Sequence, residues 1–325
     1  MSSEIFLGVV LPVILFSSLT IYFRLAVRWR IMDVPSERSS HSIPTVRGGG
    51  IIFPITALMW FVHSGGHHTL FLAGFLVAAF VSFGDDLRPL PVLVRLMAHM
   101  MAMALVFYEV QFSGWPIVLI LTAFIVSVGA LSAFNFMDGI NGISGLQALV
   151  TLMVFWFING QVVTFAHPEL IISFLIATVI FLVFNFRKRA RCFAGDVGSV
   201  SLALLQIFLL LDLIHQTQYL GWVMLVLVFG LDSVVTLVER IRKGEKLWLP
   251  HRTHMYQYLA NELQTDHRWI ATAYASAQMV ISLLVILAFQ AGSQSIPWLI
   301  GGVGFIVYIG LRRAVLQKIR LKEIR

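Results

Sequence analysis

Eleven apolar runs, separated by short polar stretches, take up most of this 325-residue chain. They fall at about 5–24, 48–62, 69–84, 94–108, 116–134, 143–158, 170–186, 200–214, 220–238, 270–290 and 296–311. A membrane span needs roughly 20 mostly apolar residues, fewer where neighbouring protein covers the ends. The runs therefore predict an all-α polytopic membrane protein with about 10–11 transmembrane helices. Composition agrees: 58% hydrophobic and 12% charged residues exclude a water-soluble globular class. No internal repeat, low-complexity tract or soluble domain interrupts the pattern, so residues 1–325 read as a single integral-membrane domain. The first run, Ile5–Phe23, has no basic stretch ahead of it and no small-residue cleavage site after it, which predicts a retained span.

The connections alternate in character. Those at 63–68, 109–115, 159–169, 215–219 and 291–295 contain none of the 23 Lys and Arg residues. All 23 fall on the other set: Asp33–Arg47, Asp85–Leu93, the Asn135 stretch, Arg187–Ser199, Glu239–Trp269, the ends of the adjoining spans and the C-terminal tail. Lys/Arg bias sets orientation. The N-terminus is expected outside, the C-terminus in the cytoplasm, and any active site at the cytoplasmic face. A net charge of +7 would suit a nucleic-acid partner, but its confinement to one side of the spans points to anionic headgroups and argues for no nucleic acid. The tail Arg312–Arg325 alternates basic and apolar residues at near-helical spacing, and Met255–Leu263 has the pattern of a short interfacial helix.

Chemistry concentrates at the basic side. Asp85 and Asp86 are adjacent at the end of the third run; neighbouring carboxylates repel unless a cation or proton intervenes. Asn135, Asp138 and Asn141 are spaced by three, so one helical turn would align them on a face. Asp196 lies between Gly195 and Gly198, with Phe193 three residues before it and Asn185 at the end of the preceding run. Glycine lets backbone approach a ligand, a carboxylate there can hold a divalent cation, and a ring such as Phe193 can stack on a base. His251, Arg252 and His254 follow Pro250, and His41 and Arg47 precede Gly48–Gly50. Arg binds phosphate oxygens bidentately, so a phosphate clamp suits these better than a zinc site. Two further acids lie within apolar runs: Asp212, near an outer end where it can reach headgroup water, and Asp232, placed to back up the basic-side site. The single cysteine, Cys192, excludes a disulfide framework and reads as a small residue beside a loop. Hard oxygen donors with cationic groups on one face suggest Mg²⁺, with Mn²⁺ as alternative, and a bound phosphate.

These stretches, taken in order, resemble the polyprenyl-phosphate N-acetylhexosamine-1-phosphate transferases, in particular those that initiate bacterial O-antigen synthesis. The likeness rests on D-V-P-x-x-R-x-x-H-x-x-P-T-x-R-G-G-G from Asp33, F-G-D-D, N-F-M-D-G-I-N-G-I, F-A-G-D-V-G-S and P-H-R-T-H-M-Y-Q. It implies a bacterial inner-membrane enzyme of lipopolysaccharide biosynthesis that joins undecaprenyl phosphate to the sugar 1-phosphate of a UDP-N-acetylhexosamine and releases UMP. It also implies Asp196 and Asn135 as Mg²⁺ ligands, and Phe193, Gly195, Asp138, Asn141 and Asn185 around the nucleotide. Asp85 and Asp86 would deprotonate or position the lipid phosphate. His251, Arg252 and His254 would hold the diphosphate or sugar, assisted by His41, Arg47 and Arg95. The resemblance admits a homodimer, and no residue pattern requires one. There are departures: Pro89 stands where many members keep a polar residue, Arg95 where Lys is common, and Asn141 in place of a second Asp. The H-R-T-H stretch differs from the triple-His run of the peptidoglycan-precursor translocase, which weighs against a MurNAc-pentapeptide donor.

The main rival is a multi-pass transporter with acidic cytoplasmic gate residues. Transporters carry polar groups near mid-membrane and often a repeated half; here the polar residues crowd one face and no repeat is visible. A prenyltransferase or CDP-alcohol phosphotransferase needs clustered D-x-x-x-D patterns that the chain lacks.

Overall fold

The computed structural model describes residues 2–35, 40, 43–246 and 251–323. Among them, ten helices are long and apolar enough to cross a membrane, and an eleventh apolar helix is shorter. In chain order they are α1 (Ser3–Arg28), the shorter α2 (Gly49–His63), α3 (Thr69–Leu87), α4 (Val92–Val110), α5 (Ile117–Met137) and α6 (Ile143–Gln161). There follow α7 (Pro168–Asn185), α8 (Gly195–Thr217), α9 (Leu220–Arg242), then a short helix α10 (255–262), α11 (His267–Gln290) and α12 (Ile296–Lys322). The protein is an all-α polytopic membrane protein. Its small non-helical feature is a two-residue antiparallel pair, Met32–Asp33 with Thr45–Val46, which also bridges to Cys192. The segment expected as an interfacial helix forms α10, and the basic tail continues α12 as one helix.

Helix α8 is the axis of the bundle. Its sequence is apolar on every side, and 94% of its spanning window is buried; such a helix has no polar face to give to water or solvent-like headgroups and belongs in the interior. It packs on α3, α4, α5 and α6. Lipid tails offer no hydrophobic drive for helix association, so close backbone approach matters more. Gly50, at the start of α2, crosses α8 so tightly that a Cβ there would fall 2.1 Å from Gly198 Cα. Two backbone bonds, Gly49 N–H to the Phe193 carbonyl and Gly50 N–H to the Ala194 carbonyl, fix the crossing.

The two ends of the bundle separate the two kinds of connection. At the charge-poor end, Ser3 lies 3.4 Å from both His63 and Glu169, His68 bonds Glu109, His67 meets His167 with the rings tilted, Phe112 meets His215, and Tyr219 donates to the Ser293 carbonyl. At the other end meet the motifs that carry Arg47, Asp86, Asn135, Asn141, Asn185, Asp196 and Thr253.

Several helix ends differ from the apolar runs. Helix α3 runs to Leu87, so Asp85 and Asp86 occupy its last turn. Helix α8 starts at Gly195, placing Asp196 in its first turn instead of a preceding loop. The spacing of Asn135, Asp138 and Asn141 predicted one helical face; instead α5 ends at Met137, and residues 138–142 form a turn. Glycines at 139 and 142, the latter at φ 85°, end the helix there.

Candidate active site

The first free amides of a helix need acceptors, and α8 takes its acceptor from another helix. Asp86 Oδ1 accepts the Asp196 N–H at 2.9 Å and its Oδ2 accepts the Val197 N–H at 3.0 Å. Arg47 Nε donates to the same Oδ1 at 2.7 Å, and the Asp86 side chain is fully buried. Gly195 at φ 70° makes room for this: a Cβ there would lie 2.5 Å from Asp86 Oδ2. Asp86 is thus a helix cap supplied from a distance, and it ties α3, α8 and the Arg47 segment into one joint.

Around that joint stand the other carboxylates. Asp196 accepts from Arg47 at 3.3 Å and from Asn135 Nδ2 at 3.1 Å, with Arg95 at 3.7 Å. Asp85 accepts the Leu90 N–H at 2.6 Å and Arg95 at 3.2 Å. Three carboxylates and two guanidiniums therefore interlock. Burial works against the charge on Arg47, but Asp86 and Asp196 outweigh it and raise its pKa. Ser199, on the next turn of α8, donates to Asn135 Oδ1 at 2.8 Å.

Two cavities share this cluster. The more polar one, about 390 Å³, is lined by Arg47, Asp85, Asp138, Asn141, Asn185, Phe193 and Gly195, among others. Burial raises the Asp138 carboxyl there to about 6. The second, about 320 Å³, is walled by Val92, Leu96, Phe136 and Val200 together with His99, His251 and His254. Arg95, Asn135, Phe136, Asp196 and Gln257 border both.

The expected site residues are not all alike in this setting. Asn185 has both ends of its amide engaged, accepting the Gly142 N–H at 2.7 Å and donating to the Cys192 carbonyl at 2.9 Å. Asn141 donates to the Arg187 carbonyl at 2.8 Å. These two shape the floor of the polar cavity by pinning its loops. His251 and His254 line the second cavity, with burial pushing His251 down to about 4. Arg252 lines neither cavity and pairs with Glu262 at 2.7 Å. His41 lies outside the described residues. Asp212 borders a separate cavity at the charge-poor end with His68, Glu109 and His215. Cys192 is fully buried beside the Asn185 loop. Ser199, His99, Gln257 and His267 were not singled out by the sequence; Ser199, closing F-A-G-D-V-G-S, and Gln257, closing P-H-R-T-H-M-Y-Q, carried a local signal.

The donor set suits Mg²⁺. Among the described residues no three His, Cys, Asp or Glu side chains form a metal cage; Mg²⁺ needs none, since it usually takes one or two carboxylates plus substrate phosphates and keeps several waters. Asp196 would supply one such carboxylate. Asn135 presents its N–H₂ to it, but turning the amide over exchanges O for N, and Ser199, which also donates to the Gly195 carbonyl, can accept instead.

Fold and site together define a multi-pass membrane protein with a carboxylate–guanidinium cluster at one end of the bundle, between a polar and an apolar-walled cavity. The profile of glycosyl transferase family 4 matches residues 68–214. The undecaprenyl-phosphate alpha-N-acetylglucosaminyl 1-phosphate transferase of Escherichia coli (strain K12) is 24% identical over 310 residues, covering 86% of this chain and 83% of that one. The decaprenyl-phosphate N-acetylglucosaminephosphotransferase of Mycolicibacterium smegmatis is 27% identical over 326 residues, covering 83% and 76%. The undecaprenyl-phosphate transferase of Salmonella typhi is 24% identical over 316 residues, covering 88% and 82%. Over most of its length the chain is thus similar to polyprenyl-phosphate N-acetylglucosamine-1-phosphate transferases.

Proposed function

We propose that this protein transfers an N-acetylhexosamine 1-phosphate from a UDP-sugar to undecaprenyl phosphate at the cytoplasmic face of a bacterial inner membrane, releasing UMP and starting a lipid-linked O-antigen or related polysaccharide. The observation that carries this is the pair of cavities sharing Arg95, Asn135 and Asp196. One is polar enough for a nucleotide diphosphosugar; the other has the apolar wall that a polyprenyl chain requires. Only a reaction joining a soluble and a lipid substrate needs both at one cluster.

In this reaction an oxygen of the lipid phosphate attacks the sugar-bearing phosphorus. The bond from that phosphorus to the bridging oxygen breaks, and UMP leaves with the electron pair. Phosphoryl transfer is driven by positioning and by neutralising charge on the transferred group. Arg47 and Arg95 do the latter, held at their posts by Asp86 and Asp85. Phe193 offers a ring to the uracil at the polar cavity. Asp196 and Asn135 would hold Mg²⁺, which would supply positive charge to offset the charge of the reacting phosphates. Ser199 steers the Asn135 amide.

The test supplies the purified protein with undecaprenyl phosphate, Mg²⁺ and a panel of UDP-GlcNAc, UDP-GalNAc and deoxy-HexNAc donors. Lipid-linked sugar and stoichiometric UMP are expected with at least one donor, and EDTA should abolish both. Asp196→Asn should reduce turnover by about 100-fold or more while leaving membrane insertion intact. No product with any donor, or full activity in Asp196→Asn, removes the proposal.

A further inference from the structure

Behind the second cavity lies a buried charge that the transfer described above does not use. Asp232, on α9, has no exposed surface. Its carboxylate accepts from His254 Nδ1 at 3.2 Å, the Met255 N–H at 3.0 Å, Tyr274 Oη at 2.7 Å and Tyr308 Oη at 3.1 Å. With Thr236 Oγ1 at 3.4 Å, five donors converge on this one carboxyl, and hydrogen bonds of this kind favour its charged form. Facing that anion, Nδ1 of His254 carries the proton, and the other ring nitrogen becomes the one able to gain or lose a proton. His254 is 2% exposed, and its Nε2 has no partner among the described residues. The ring lines the second cavity with Asp196, Asn135 and Arg95. A buried nitrogen left unpaired costs free energy, and such groups call for an explanation. A ligand atom arriving in the cavity supplies one.

We propose that Asp232 is a positioning residue that fixes the proton of His254 on Nδ1, so that Nε2 takes the proton of the lipid acceptor's phosphate as that phosphate attacks. This rests on the transferase function proposed above. The acceptor enters as a phosphate monoester whose second pKa is about 6. Its remaining proton passes to Nε2, giving an imidazolium paired with Asp232. The freed oxygen forms the new bond to the donor phosphorus, UMP departs, and the imidazolium returns its proton to water. Asp85 and Asp86 are poorly placed for this role. Each already accepts two or three donors, including Arg95 or Arg47, whereas Nε2 is buried and unpaired among the described residues, on a ring that lines the cavity. The arrangement follows the general pattern of a base oriented by a third group.

The titratable and charged groups around His254 are Asp232 on α9, Tyr274 on α11, Tyr308 and Arg312 on α12, and His251 and Tyr256 of its own segment. Arg95 and Asp196 stand across the cavity. Initial rates of the full chain, with undecaprenyl phosphate, UDP-GlcNAc (or the donor the panel selects) and Mg²⁺, are measured from about pH 5 to about pH 9. Nucleotide-sugar binding is followed separately by calorimetry as a check on folding. His254→Gln should lose about 100-fold in kcat with donor affinity retained, and with it the fall of activity on the acid side. Asp232→Asn, which removes the anion and lets an amide N–H push the proton onto Nε2, should lower kcat and move the acid limb to lower pH. Tyr274→Phe strips one donor from Asp232, strengthens its hold on the imidazolium and should move the limb to higher pH, with little loss of kcat. An acid limb that stays at its wild-type position in all three variants overturns the inference while leaving the transferase intact. A wild-type protein without product removes both.

Discussion

At the scale of single residues, one carboxylate decides much of the geometry. Asp86 caps α8 and holds Arg47, so its environment is sensitive to a single added methyl group. Gly195→Ala would place that methyl 2.5 Å from Asp86 Oδ2 and force a non-glycine residue to φ 70°. The backbone cost alone is about 1–2 kcal/mol. A lower unfolding midpoint and loss of Arg47-dependent turnover are expected together; a variant as stable and active as the wild type would show that the cap is dispensable. His251 provides a titration at the same scale. Burial first, then His254 and Arg240, push it down to about 4 from an ordinary 6.5. A depressed histidine contributes stability that is full above its unfolded value and is lost as pH falls through the folded one. Thermal stability should therefore decline from about pH 6.5 toward pH 4, and His251→Gln should flatten part of that decline. An identical pH dependence in the variant would assign the loss to other groups.

At the scale of elements, the packing of α2 on α8 has no slack. Gly50→Ala would drive a methyl against Gly198 Cα and the Ala194 carbonyl, two backbone positions that cannot rotate away. Overpacking of this kind costs about 1–3 kcal/mol. The variant should melt earlier and lose activity, because the loop Phe193–Gly195 that α2 supports carries the polar cavity's wall. Wild-type melting would mean that the crossing relaxes. The elements also show what a sequence can disclose. Among the described residues, the eleven runs located the ten helices long enough to span and the shorter α2, because apolar length is a property of each segment alone. The start of α8 was hidden: Gly195, Asp196 and Gly198 read as loop residues, and the amides that let a helix begin there are satisfied by Asp86, more than a hundred residues earlier in the chain. The same holds for Asn185 and Asn141, which the resemblance implied around the nucleotide. Their amides go largely to backbone partners that only the folded chain brings near. Asp232 was recognisable as an acid in an apolar run, but Tyr274 and Tyr308 gave no sign of being its partners.

At the scale of the whole molecule, the bundle sorts its basic connections to one end, which fixes a test of orientation. Cys192 is buried, and burial raises its thiol pKa far above the ordinary value, so the native thiol should resist labelling. Single cysteines replacing His67 or Gln216, both exposed, should react with an impermeant reagent added to intact cells. Those replacing Arg189 or Lys243, exposed at the other end, should react only after permeabilisation. The reverse pattern would place the carboxylate cluster outside and separate it from any cytoplasmic nucleotide.

The second cavity has a side door. Val92, Leu96 and Phe136 line it, and each is also more than 40% exposed on the flank of a spanning helix. A hydrocarbon tail seated there need never be extracted into water. Encounter with such a substrate then becomes a two-dimensional search, governed by how crowded the leaflet is with it. Diluting the acceptor with inert lipid at constant bulk amount should slow the protein in proportion, as though its true solvent were a surface.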